Sequence, residues 1–281
     1  MFTIAHEKLA LLLQHIKDGY APNTIRAYKA DMEEFITYCE ARQLTPLPAD
    51  PFIVADFLIE ATQQGIKAST IRRKASSISA IHRLSYLEDP TKHPEVKIAV
   101  RKVNRKLGTR FKQAHPINRD LLEKMISSCD NSLHGTRNKM LLLLAYESLR
   151  RRSELVSLLI EDLEFKSDGT CSILLRDSKT DQSANGFTIY LGSRTTKAIK
   201  KWLEITGLQN GPLLRGVRGN NITSNYESGQ IARTFKKIAK ANGVAPEVVQ
   251  KISGHSTRVG SAQDLLTNGE SLGQIMARVG W

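Results

Sequence analysis

The chain has 281 residues, 41% of them hydrophobic and 25% charged, and carries a net charge of +13. That length predicts two domains, each large enough to bury its own core, and so large a basic surplus favours a polyanionic partner such as nucleic acid. No apolar run approaches the roughly 20 residues of a membrane-spanning helix, and Met1–Lys8 lacks the basic start and apolar core of an export signal, so neither a membrane partner nor export is expected.

The first hundred residues read as helical. Ile25, Tyr28, Met32, Phe35, Ile36 and Cys39 recur at helical spacing, with Asn23-Thr24 offering a cap after Pro22. Pro46 and Pro48 break the chain, and Phe52, Val54, Phe57, Leu58 and Ala61 make a second apolar face that stops at Gly65. Ser69-Thr70 is expected to cap a third helix with Ile71, Ala75, Ile78, Ile81, His82 and Leu84 inward. A fourth is expected over 95–106, with Val96, Val100 and Val103 inward. Its outer face begins a local basic stripe, for 97–112 holds seven basic residues and no acidic one. Residues 108–116 read as a basic linker closed by Pro116, which puts an N-terminal helical domain at 1–107 and a second domain at 117–281.

The second domain is mixed. Helices are expected over 119–129, over 137–148 around the apolar run Met140–Ala145, and over 154–159. The period then changes. Residues 163–165, 171–175 and 187–191 read as three short strands separated by turn chemistry at Ser167-Asp168-Gly169 and Ala184-Asn185-Gly186. Helical spacing resumes over 195–206, 229–242, 257–268 and 271–279. The fold class expected is mainly α with a small antiparallel sheet.

Three elements carry chemistry. In Leu149-Arg150-Arg151-Arg152-Ser153-Glu154-Leu155, charge follows a buried run directly, which is costly unless it pairs or faces a cleft. Arg151 and Glu154 share a helical face. In Gly254-His255-Ser256-Thr257-Arg258, His255 and Arg258 share a face at a helix start, where free amides favour phosphate. Lys179 lies at a hairpin turn, Asp177-Ser178-Lys179-Thr180. Each alone has an ordinary explanation: a solvated helix end with one ion pair, a capped helix with a histidine, an exposed turn lysine. Together, two arginines, a histidine and a lysine make a metal-free phosphate site. No GxxxxGK loop or Asp/Glu cluster points to nucleotide hydrolysis or two-metal chemistry. Cys39, Cys129 and Cys171 are too far apart for a paired framework or a zinc CxxC and read as reduced thiols. Neither a cofactor nor a metal is expected.

The chain resembles the tyrosine recombinases, and among them the Cre-like site-specific enzymes. Ala145-Tyr146-Glu147-Ser148-Leu149-Arg150-Arg151-Arg152-Ser153-Glu154 looks like the box of the first catalytic arginine. Its register selects Arg151 over Arg150 and Arg152 and puts Glu154 at the supporting acidic position. Lys179 matches the catalytic lysine, Gly254–Ala262 is similar to the H-x-x-R box, and Gly280-Trp281 matches the Trp/His position. The likeness extends through the N-terminal helices at Ala21–Thr24 and Lys67–Ile71. It implies a core-binding helical domain followed by an α+β catalytic domain.

By that resemblance, a tyrosine attacks a DNA phosphodiester to leave a 3′-phosphotyrosine and a free 5′-hydroxyl. Arg151 and Arg258 would neutralise the non-bridging oxygens, His255 would bond one of them or take the tyrosine proton, Lys179 would protonate the leaving oxygen, and Trp281 would donate its indole N–H. The implied partner is a double-stranded recombination site bound by a dimer, with a tetramer in synapsis, in a cytoplasmic, nucleoid-associated protein of prokaryotic, phage or plasmid origin. Expected DNA contacts are Thr24, Lys29, Lys67, Arg72, Arg73, Lys74, Arg101, Lys102, Arg105, Lys106, Arg110 and Lys112 in the first half, and Arg233, Lys236 and Lys237 in the second; the two domains would close on duplex as a clamp. The family's nucleophile lies about one helical element beyond the Trp/His position, and none of the seven tyrosines follows Arg258. The expectation is therefore a DNA-binding fragment without the nucleophile: a chain cut short, a tail missing from it, or a natural binding-only relative. A topoisomerase of type IB, which shares the chemistry, is disfavoured by the N-terminal helical domain.

Overall fold

The computed structural model describes residues 2–109, 113–176 and 186–279. Contacts divide the chain into two compact units, 1–111 and 112–281.

Unit 1 contains α1 (Phe2–His15), α2 (Pro22–Glu40), α3 (Pro51–Gln63), α4 (Ala68–Leu84) and α5 (Pro94–Leu107). The core joins Leu9 and Leu13 of α1 to Met32, Phe35 and Ile36 of α2, Val54, Phe57 and Leu58 of α3, Ile71, Ile78 and Ile81 of α4, and Val96 and Val103 of α5. Leu9 and Leu13 are thus the inward face of a helix in its own right, while Leu11 between them is exposed. Two local expectations fail. Lys67, not Ser69, is the N-cap of α4, because Ala68 already turns into the core. Phe52 is 58% exposed and lies against the His93 ring instead of the core.

Polar groups also cross this core. Asp31 of α2 is buried and accepts from Arg73 Nη2 and Ser77 Oγ, each at 2.8 Å, which ties α2 to α4. His82 is fully buried. Its Nδ1 lies 2.8 Å from the Ile78 carbonyl and its Nε2 accepts from the Ala49 N–H at 3.0 Å. One ring nitrogen donates and the other accepts, so the neutral imidazole is the form that fits.

Unit 2 is built around α7 (Leu133–Ser148). Met140 through Ala145 are all buried, and a helix apolar on every side belongs inside. Helices α6 (Arg119–Ser127), α9 (Ser193–Thr206) and α12 (Ser256–Thr267) pack on it, and α8 (Arg152–Ser157), α10 (Ser228–Ala241), α11 (Pro246–Lys251) and α13 (Leu272–Val279) complete the unit. Strands β1 (Leu163–Phe165), β2 (Cys171–Leu175) and β3 (Phe187–Leu191) form an antiparallel sheet in the order β1-β2-β3, with Ile173 facing both Leu163 and Ile189. A two-stranded hairpin, β4 (Val217–Arg218) and β5 (Asn221–Ile222), and helix α11 are too short to leave a periodic signal in the sequence.

Two expectations are corrected here. The helix expected over 154–159 ends at Ser157. Leu158 and Leu159 are extended because their stretch pairs with 211–213: Leu213 N–H donates to Leu158 O, and Ile160 N–H to Gly211 O, both at 2.9 Å. The stretch read as linker to Pro116 is already part of unit 2 at its end. His115 N–H donates to Lys251 O, and Ile117, fully buried, donates to Ser256 O at 2.9 Å. Gly260 allows this, since a Cβ there would lie 1.9 Å from the Ile117 carbonyl oxygen.

Burial lowers the His82 pKa below its ordinary value, against opposing effects of the Ile78 carbonyl and Asp89. The unfolded chain then binds the proton more tightly. The contribution of the neutral ring is complete above about pH 6.5 and is lost as pH falls through that value. Thermal unfolding followed at about pH 7.5 and pH 5.5 should show this loss, and His82→Gln should show a smaller one. An equal pH dependence in both proteins would remove His82 as its source.

Candidate phosphate-binding site

Helix α7 ends in a left-handed residue. Leu149 has φ 52° and ψ 23°, a conformation that a helix C-terminus usually gives to glycine. Its side chain is buried against Ile275 and Val279 of α13, and this packing holds an otherwise unfavourable backbone. The sharp turn sends Arg150 inward and puts Arg151 at the N-cap of α8.

Arg151 caps α8. Its own N–H donates to Glu154 Oε2 at 2.9 Å, and its Nη1 donates to Glu154 Oε1 at 2.7 Å. Glu154 is buried and the Arg151 side chain remains partly exposed. One carboxylate therefore closes the helix start and aims the guanidinium, as the first-turn acidic position of a capping box does. From another element comes the turn before α12. Gly254 rests on the Arg152 side chain, where an added Cβ would meet Arg152 Cδ at 3.2 Å. His255, exposed, is the N-cap of α12, and Arg258, buried, lies in its first turn.

The electrostatics show that these groups share one locality. Burial, then Arg151 and Arg150, pull the Arg258 pKa down to about 10, with Glu154 opposing. Arg258 remains charged at neutral pH. Although His255 is exposed at the surface, the protein atoms around its ring displace enough water to lower its pKa, and Arg258, Arg152 and Arg151 lower it further, so the ring is neutral at pH 7. Arg258 Nη2 donates to the Val279 carbonyl at 3.1 Å, and Arg150 Nη2 donates to the Arg278 carbonyl. The arrangement is a concentration of guanidinium groups balanced by one carboxylate beside the start of α12. Such an arrangement can accept a phosphate, through charge and the bidentate geometry of guanidinium.

Of the six expected catalytic residues, the structure brings together Arg151, Glu154, His255 and Arg258. Lys179 and Trp281 lie outside the described residues, as do Arg110 and Lys112. Sequence reasoning passed over Arg150 and Arg152 as neighbours of the functional arginine, though both act on the cluster. Tyr146, also in the first box, is no activated nucleophile. Its hydroxyl bonds Asp264, and burial with that carboxylate raises its pKa well above the ordinary value. No cluster of metal-ligating side chains occurs among the described residues.

On unit 1, Lys29, Lys67, Arg73, Arg101, Lys102, Arg105 and Lys106 are exposed, while Thr24 and Arg72 are half-buried. Lys74 and Arg73 are corrections: Lys74 is buried and paired with Glu34, and Arg73, though exposed, is paired with buried Asp31, so both charges are spent holding α4 to α2. A cleft on this unit is lined by Arg72, Ser76, Ser79, Arg83, Lys97 and Arg101. Arg83 was missed, although its spacing from Arg72, Ser76 and Ser79 places it on the same side of α4. On α10, Arg233 and Lys237 are exposed, whereas Lys236 donates to the Gln250 carbonyl at 3.0 Å and ties α10 to α11.

Comparison with known proteins adds the family. Residues 116–281, more than half the chain, match the phage integrase family, and residues 11–89 match the N-terminal SAM-like domain of phage integrases. The chain is 29% identical over 270 residues to the integrase/recombinase xerD homolog of Selenomonas ruminantium, covering 92% of this chain and 78% of that protein. It is 26% identical over 282 residues to the recombinase cre of Escherichia phage P1, covering 94% and 82%. Among solved structures, lambda integrase (75-356), a dimer bound to a COC' core site, superposes with a TM-score of 0.67 at 18% identity, covering 98% of this chain and 94% of that one. At that identity the likeness is one of fold.

The field on His255 is testable by NMR. Its ring should titrate below about pH 6.5, and Arg152→Gln, which removes one positive neighbour, should move the midpoint upward. A midpoint that does not respond would place the ring outside the arginine cluster.

Proposed function

The chain belongs to the phage integrase family, and from that premise we propose that it is a site-specific DNA recombinase working through a 3′-phosphotyrosine intermediate. The observation that carries this reading is the meeting of Arg151 and Arg258, from separate elements of unit 2, around Glu154 and beside a neutral His255.

In the proposed reaction a tyrosine oxygen forms a bond to phosphorus as the bond from phosphorus to the 5′-oxygen breaks. Arg151 and Arg258 hold the two non-bridging oxygens as charge builds on them. Preorganised donors of this kind are worth about 3–4 kcal/mol each in enzymes. His255, uncharged before DNA arrives, has a ring nitrogen free to accept the tyrosine proton and another to bond a phosphate oxygen. Lys179 returns a proton to the departing 5′-oxygen, and the Trp281 indole N–H adds a further donor. Glu154 keeps Arg151 in place. Attack by the 5′-hydroxyl of another strand reverses the step and restores a phosphodiester, so no external energy source is consumed. The chain spans about four-fifths of the length of the two relatives named above.

Duplex DNA is the proposed partner. The exposed faces of α5 (Arg101, Lys102, Arg105, Lys106), α4 (Lys67, Arg72) and α10 (Arg233, Lys237) would contact phosphates, which set affinity, with Thr24 and Lys29 near the groove rim. Arg110 and Lys112 are assigned the same role. The working assembly is a dimer on one site and a tetramer when two sites meet. Lambda integrase, solved as a dimer on a core site and as a tetramer on a Holliday junction, supports this reading.

Binding to duplex DNA should weaken steeply with salt. Replacing Arg101, Lys102, Arg105 and Lys106 together by Gln should lower the slope of log affinity against log salt by about one for each phosphate no longer neutralised. A salt-independent affinity would rule out a role for these four side chains in holding phosphate. The full-length protein, given a nicked target, should form a denaturation-resistant adduct at the 3′-phosphate. Arg258→Ala should abolish the adduct while changing DNA affinity by less than about tenfold. Persistent salt-sensitive binding without any adduct would identify a protein that occupies its site and does not cut.

A further inference from the structure

Arg150 has no part in the reaction just described, yet it is among the most buried charged residues of the chain, at 3% exposure. A guanidinium taken out of water costs several kcal/mol unless its donors are satisfied. Here the cost is increased by Arg151 and Arg258, which repel it, and is only partly offset by Glu154. No carboxylate bonds it directly among the described residues. Its partners are instead neutral groups on three separate elements. Nε donates to the Ser148 carbonyl at 2.9 Å, at the end of α7. Nη2 donates to the Arg278 carbonyl, at the end of α13. The flat face lies over the Phe187 ring at the start of β3, 4.6 Å from its centre.

We propose that Arg150 is a positioning residue: it fastens the C-terminal end of α13 and the start of β3 to the α7–α8 turn, and so sets the separation of Arg151 and Arg258 across the phosphate site. The proposal rests on the recombinase reading for its functional consequence. The coupling has a plain geometry. Arg151 follows Arg150 directly, while Arg258 donates to the Val279 carbonyl, the next one along from the carbonyl held by Arg150. Two guanidinium groups from different elements thus grip successive carbonyls at the negative end of one helix, where cations are favoured. Leu149 adds the apolar half of the joint by packing on Ile275 and Val279. If the Arg150 link is cut, α13 keeps that apolar packing but loses the bond that fixes its rotation and height. The Arg258 guanidinium, which shares its anchor, then moves relative to Arg151. Lysine at this position could reach one carbonyl, but it could not bond two directions and cover a ring at once.

The test compares Arg150→Met, Arg150→Lys and Phe187→Leu in the full-length protein. Hydrogen exchange is read over 272–279 and 187–191, DNA affinity by titration, and the rate of strand cleavage in a single turnover on pre-bound DNA. Arg150→Met should raise exchange over both segments by about fivefold or more, leave DNA affinity within about twofold, and slow cleavage by about tenfold or more, as a small displacement of catalytic groups does. Arg150→Lys should recover part of the rate, and Phe187→Leu should loosen 187–191 with a smaller loss. Unchanged exchange in Arg150→Met would overturn the tether. Cleavage undiminished, or falling no more than affinity does, would overturn the positioning role. Should Arg150→Met not fold, the same comparisons apply to Arg150→Lys and Phe187→Leu, where full activity in both would refute the proposal. If the unaltered protein forms no adduct at all, the recombinase reading fails, and the exchange measurements still decide whether Arg150 holds α13.

Discussion

Like charges do not gather inside a protein without compensation, and the arrangement of unit 2 follows from how that compensation is made. Arg150, Arg151 and Arg258 interact with one another, and Glu154 is the carboxylate that opposes them. The remaining stabilisation comes from main-chain carbonyls at the end of α13 and from the Phe187 ring. Such a site is left with excess positive potential. An incoming phosphate relieves that excess, and donors already fixed in place need no reorganisation as charge develops on the phosphate.

The same principle explains the supporting scaffold. Leu149 adopts a left-handed backbone because its side chain packs against α12 and α13, and that turn separates a buried Arg150 from a partly exposed Arg151. Asp264 of α12 accepts from both the Arg119 N–H and the Tyr146 hydroxyl, joining α6, α7 and α12 beside the site. Glu147, next in line after Tyr146, accepts from the Gly192 N–H at 2.6 Å and from the Thr195 hydroxyl, closing the start of α9. One short stretch at the end of α7 therefore sends successive side chains to α12, α9, α13 and the phosphate site. A substitution anywhere in 146–151 would be felt at several elements at once.

Unit 1 separates its charges by a different route. Those that hold helices together are paired, with one partner of each pair buried: Asp31 with Arg73, and Lys74 with Glu34. Those left on the surface, along α5 above all, are accompanied by few carboxylates. Pairing costs a basic residue its value to a polyanion. For that reason Lys74 holds α4 to α2 while Arg101, Lys102, Arg105 and Lys106 remain available to phosphate. Which of these exposed groups reach base edges depends on the path of the DNA.

Much of this was legible in the chain because it depends on local period and local chemistry. The three strands of the main sheet appeared at 163–165, 171–175 and 187–191 because alternation and turn residues act over a few positions. The run Met140–Ala145 announced a buried helix because nothing in it tolerates water. The spacing of Arg151 with Glu154, and of His255 with Arg258, is one helical turn in each case, so each pair was readable within its own element. What spacing could not carry was the meeting of elements more than a hundred residues apart. Arg150 and Arg151 are adjacent and chemically identical, and only the path of α13 puts one against a helix-end carbonyl while the other, partly exposed, pairs with Glu154. Lys74 and Lys67 are equally basic in sequence, but one meets Glu34 from α2 and the other meets solvent. Local interactions are encoded by neighbours along the chain, whereas the use made of a charge is set by the groups that packing brings to it, and packing is a property of the whole fold.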